Sequence, residues 1–87
     1  MPYIKIDRQC YIDKELSALI GKLQRMKPEE GDLNYVIQKL LLLTKPPKNY
    51  KDFNALVGIL ECAKLEFYRR MVVPYEESKF EENGDIF

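Results

Sequence analysis

The apolar positions of this chain recur at helical steps for most of its length, in three blocks parted by prolines. In the first block Leu16, Leu19, Ile20, Leu23 and Met26 follow one another at short helical spacing, which sets them on one helix face. Asp13 stands ahead of them as an N-cap, Glu15 suits the first turn, and Lys27-Pro28 closes the segment. A helix is therefore predicted over residues 14–27. Glu29-Glu30-Gly31 reads as loop, and Asp32 as the cap of a second helix over residues 33–45. There Leu33, Val36, Ile37, Leu40, Leu41 and Leu43 form the apolar face, and Leu42 widens it around the helix. Such a helix belongs between its neighbours or in a subunit interface. Pro46-Pro47 stops it.

The third block is the longest. Phe53, Leu56, Val57, Leu60, Phe67 and Met71 share a face, Asn49 is the cap and Asp52 sits near the first turn. Residues 50–73 would span about 36 Å as one helix, so the third helix needs the two shorter ones or a second copy of the chain to cover it. Gly58 inside it costs about 1 kcal/mol relative to alanine, a cost that a close backbone crossing would offset. Pro74 ends or bends the helix and can open a short fourth one, with Glu76 and Glu77 in its first turn and Asn83-Gly84 as a left-handed stop. At the other end, residues 1–13 alternate weakly, Tyr3 and Lys5 against Ile4 and Ile6, and predict a short extended arm. The expected fold is all-α: a single helical domain over residues 1–87, with a compact three-helix core, an N-terminal arm, a long third helix, and an acidic C-terminal helix and tail over 74–87.

Composition sharpens this picture in three ways. An 87-residue chain has room for one modest core, and oligomerisation is a common remedy for that limit. Lysine plus arginine equal aspartate plus glutamate at 14 each, so no basic excess points to nucleic acid. The charge is divided unevenly, however: residues 1–73 carry 13 basic and 9 acidic side chains, residues 74–87 one lysine and five acids. That acidic tail, with Tyr75, Phe80, Ile86 and Phe87 as apolar anchors, is expected to dock on basic surface of its own or a neighbouring chain.

Histidine is absent, which removes histidine bases, Ser-His and Cys-His pairs and histidine metal ligands. Cys10 and Cys62 have no metal-type spacing, and Cys62 reads as a small buried hydrophobe. Asp7 and Arg8 interrupt the N-terminus before any apolar run, and Leu40 to Leu43 is too short to span a membrane. A reduced cytoplasmic setting is the expectation, without membrane partner.

Three constellations carry candidate chemistry. Asn34 and Gln38 on the second helix, with Asn54, Gly58, Glu61 and Tyr68 on the third, would form a polar seam that fixes helix register or lines a small pocket. Lys64, Tyr68, Arg69 and Arg70 cluster near the end of the third helix. Their charge suits the helix dipole, with Glu66 to Arg70 as an i,i+4 pair, or else offers an anion site. With Tyr68 or Tyr75 stacking on a base, that site would take a nucleotide. Glu76, Glu77, Glu81, Glu82 and Asp85 include ExxD spacing, like the paired acids of MazG-type nucleotide pyrophosphohydrolases. Against magnesium chemistry, Glu61 and Glu66 lie about 140° apart around a helix and cannot serve one ion cluster. No catalytic residue, metal ligand or cofactor is assigned.

The segments GDLNYVIQKLL at 31–41, NALVGILECAKLEFYRR at 54–70 and PYEESKFEENGDIF at 74–87 also resemble a group of small uncharacterised proteins of phages and prophage-bearing bacterial genomes. The likeness covers most of the chain after Asp13, including its YRR, PYE and NGD elements. It implies a small helical protein that blocks or sequesters a host factor, and it brings no site residues with it. The function expected is thus a non-catalytic, homo-oligomeric binding protein whose target is a host protein or a small anionic signal. A MazG-like hydrolase is the alternative, and a purely self-assembling structural protein the third reading.

Overall fold

In a computed structural model, which describes residues 4–87, the chain is helical with no strand among those residues. It divides into two units where the sequence suggests one domain: residues 1–40 and residues 41–87. The first unit holds α1, Ile6–Met26, and most of α2, Glu30–Thr44. The second holds the end of α2, then α3, Tyr50–Phe67, a π-helical turn, Tyr68–Val72, and α4, Val73–Asn83.

The first unit corrects the reading of the N-terminus. Residues 6–13 are the first two turns of α1 and not an extended arm; positions 1–3 of that arm lie outside the described residues. Lys5, in extended backbone, precedes the helix without a side-chain cap, so Asp13 is an interior residue. Asp7 in the first turn accepts from the Arg8 N–H at 2.9 Å, and Gln9 Nε2 donates to the Ile4 carbonyl at 2.8 Å. The physical reason lies in the stripe itself. Ile12 continues the Leu16, Leu19, Leu23, Met26 progression backwards, whereas four alternating residues have no strand to pair with.

Lys27 ends α1 at φ 55°, and its N–H bonds the Gln24 carbonyl. The ring of Pro28 disfavours helical backbone at the residue before it. Glu30 and Gly31 belong to the first turn of α2, contrary to the expected loop. Asp32 is accordingly not the cap but the residue that reaches back: its Oδ2 accepts from the Glu29 N–H at 2.9 Å, the carboxylate half of a capping box.

In the second unit Asn49 caps α3 as its sequence predicts, with Oδ1 accepting from the Asp52 N–H at 2.9 Å. Asp52 returns a bond to the Lys48 N–H at 3.0 Å. At the far end Pro74 does not stop the helix, which runs on to Asn83. Proline has no N–H to offer, and its ring presses on the carbonyl four residues back. The chain answers with one wide turn, in which the Val73 N–H bonds the Tyr68 carbonyl, five residues back. The Tyr68 N–H itself is shared between the Leu65 and Lys64 carbonyls, and the backbone stays right-handed throughout. Residues 50–83 thus form 34 consecutive helical positions. Gly84, at φ 82°, is the left-handed stop, its N–H on the Phe80 carbonyl at 2.8 Å.

Where the sequence places a compact core, none of the described side chains is buried. Leu40, Leu42 and Leu43 of α2 are each about half exposed or more, so α2 is not enclosed. Cys62, expected inside, is exposed, as is Cys10. Ile86 and Phe87, anchors of the acidic tail, are almost wholly exposed. The close crossing expected at Gly58 is also missing: a Cβ built there would meet nothing within 4 Å. Gly58→Ala should therefore raise stability by about 1 kcal/mol in urea unfolding, the usual helix-interior difference. A loss of stability would instead reveal a neighbour packed against that backbone.

Candidate functional site

Among the described residues the densest set of polar side-chain contacts lies along the C-terminal half of α3, the π turn and α4, all within the second unit. Glu66 is its hub. Its side chain is the least exposed of the group, and Arg69 Nη2 donates to both of its carboxylate oxygens, at 3.0 and 2.9 Å. Arg70 Nη1 approaches the same carboxylate at 3.5 Å. The i,i+4 pair expected from Glu66 to Arg70 thus exists, but the tighter partner is Arg69 at i,i+3. Positions three and four residues on lie to either side of Glu66, so one carboxylate draws both guanidinium groups together.

Tyr68 and Glu76 form the second contact, with the phenol O–H donating to Glu76 Oε1 at 3.1 Å. Residues eight apart on a regular α-helix are offset by about 80° and do not face each other. The wide turn between them takes up one extra residue, which returns Glu76 to where the seventh residue would stand. This hydrogen bond raises the Tyr68 phenol above its ordinary value of 10.0; the negative charge of Glu76 adds to the shift, and desolvation adds least.

Lys64 Nζ pairs with Glu61 at 3.2 Å, Lys79 Nζ with Glu82 at 3.0 Å, and Lys79 also lies over the Tyr75 ring, 5.7 Å from its centre. All five residues expected at an anion site (Lys64, Tyr68, Arg69, Arg70 and Tyr75) therefore occupy one continuous helical stretch. Each is already engaged with a side chain of that same stretch. A shallow groove of about 530 Å³ runs between α4 and residues 84–87, lined in part by Glu76, Glu77, Lys79, Phe80 and Asp85, three acids against one lysine. Its acids give it the wrong sign for phosphate.

The polar seam is not an enclosed network. Asn34, Gln38, Asn54 and Glu61 are all exposed. Gln38 Nε2 donates to Asn34 Oδ1 at 2.6 Å within α2, and Glu61 is matched by Lys64 rather than held in a buried pocket. Among the described residues no group of three or more Asp, Glu or Cys converges to hold a metal ion. No helix of those residues is long and apolar enough to cross a membrane. The part that sequence reasoning missed is Glu76 as the partner of Tyr68. Its signal was Pro74, which forces the wide turn that brings the two together.

Below pH 10 the neutral phenol donates and the Tyr68–Glu76 bond contributes in full; the contribution disappears as pH rises through the elevated pKa. Glu76→Gln should bring the Tyr68 titration, followed by NMR, back toward the ordinary value. An unchanged titration would show that Glu76 is not the cause.

Comparison with known families places the chain in one of them: residues 1–86 match the model of a domain of unknown function (DUF6899), and the chain belongs to that family. No curated protein and no solved structure matches it.

Proposed function

We propose that this chain is a non-catalytic binding protein that presents apolar helix faces to a protein partner and acts by blocking or sequestering it. The observation that carries the reading is the absence of any buried side chain among the described residues, while Leu16, Ile20, Leu33, Ile37 and Leu40 stand on the surface at helical spacing. Exposed apolar faces of this extent mark interaction surfaces. The phage-type setting, the host target and a place in the interior of the host cell rest on the resemblance of the 31–41, 54–70 and 74–87 segments described above.

A protein target is favoured over an anionic signal by the state of the arginines. A phosphate would have to draw Arg69 away from two hydrogen bonds to Glu66, on a convex helix surface with no walls to exclude water. The hydrolase alternative meets the same difficulty with its acids, which are strung along α4 without a converging partner set.

Titration with nucleoside mono-, di- and triphosphates in the presence of magnesium should produce neither binding heat nor pyrophosphate. Induced expression of the chain in a bacterial host should slow growth, and Leu16→Glu/Leu23→Glu, on the α1 stripe, should relieve it at equal protein level. Nucleotide turnover would replace this reading with the enzymatic one. Nucleotide binding abolished by Arg69→Ala/Arg70→Ala would replace the protein target with an anionic ligand.

A further inference from the structure

The hydrogen bond from Tyr68 to Glu76 is an internal ruler for the second unit. It shows that across the wide turn residues eight apart share a face. Phe67 and Tyr75 are also eight apart and bracket the same turn. Before the turn, Phe53, Leu60 and Phe67 recur every seven residues, with Leu56 and Ala63 three positions after the first two. That is the a/d pattern of a helix that packs along a second helix. On an uninterrupted α-helix the next d position would be Arg70, and the stripe would end in charge. The extra residue in the turn puts Met71 in that place and Tyr75 in the following a place. One apolar stripe therefore runs from Phe53 to Tyr75 past the proline, and its members Phe53, Phe67, Met71 and Tyr75 are each more than half exposed.

We infer that this stripe is the interface for a second copy of the same chain. Two observations select that occupant. A second copy brings a stripe of identical length and chemistry, the requirement of a self-complementary contact. Its charge also fits: within the second unit residues 41–73 carry six basic and three acidic side chains, and residues 74–87 one basic and five acidic, so two copies attract in opposite halves. Lys64 and Glu66 flank the apolar positions, where the rim charges of paired helices stand. This inference goes beyond the proposed host target: it assigns the face of α3 and α4 to self-association and leaves that target to the faces of α1 and α2.

The test is sedimentation equilibrium of the full chain beside Leu60→Glu, on the stripe, and Leu65→Glu, exposed and about 140° away around the helix. The wild type and Leu65→Glu should associate, and Leu60→Glu should weaken association by about 100-fold or more, the scale of a central apolar contact. The wild-type melting temperature should also rise with protein concentration from about 1 to 100 µM, as mass action requires of a folded assembly. If the glutamate chain is too unstable to weigh, Leu60→Ala against Leu65→Ala decides the same point. A wild type that stays monomeric with a concentration-independent melting temperature overturns the inference, as does association unaffected at Leu60. In either event the growth and nucleotide experiments still judge the proposed function separately.

Discussion

Helices of 15 to 21 residues are marginal in water on their own, because each must fix a first turn before later hydrogen bonds can stabilise it. What usually decides the matter is removal of an apolar face from solvent. That constraint governs every other feature of this chain. The stripes of α1, α2 and α3 have the right width and spacing to be covered, and the chain leaves them on its own surface. Local devices hold the helices meanwhile: the reaching carboxylates of Asp32 and Asp52, the Asn49 cap, and charge pairs spaced along α3 and α4. Exposed pairs of this kind contribute at most about 1 kcal/mol each, so they support helices without determining how those helices assemble.

The response to Pro74 shows how one covalent fact propagates. A missing N–H and a bulky ring disturb the turn before a proline inside a helix. The π turn absorbs both within right-handed backbone, and the same extra residue that relieves the proline also rotates everything after it. Tyr68 then finds Glu76, and Met71 and Tyr75 continue the apolar line of Phe53, Leu60 and Phe67. Arg70, displaced from that line, joins Arg69 on Glu66. The backbone adjustment and the surface pattern have one cause.

Much of the helical content was legible because periodicity, Asn49, Pro46-Pro47 and Asn83-Gly84 all carry local instructions. The N-terminal arm was misread because four alternating residues outweighed Ile12, which belongs to the α1 stripe. Asp32 was misread because an acid can satisfy a helix start from the cap or from three residues inside it. Within the candidate site, the Lys64 to Tyr75 cluster was legible as a group. Its state was not: composition shows cations and aromatics but says nothing of a wide turn that alters which acid each one meets. The core failed for a different reason. Apolar spacing states that a face will be covered and is silent on whether the cover belongs to the same molecule.

Cys62 sits roughly half a turn around α3 from Leu60, on the side away from the apolar stripe, and its thiol is exposed. A probe attached there would ride outward from any molecule gripping the stripe, neither wedging the contact open nor being quenched inside it. Since the chain contains no tryptophan, a dye at this thiol would be the dominant optical signal. With Cys10 replaced by serine, the protein therefore offers a single attachment point from which approach and departure of a companion can be watched as they happen.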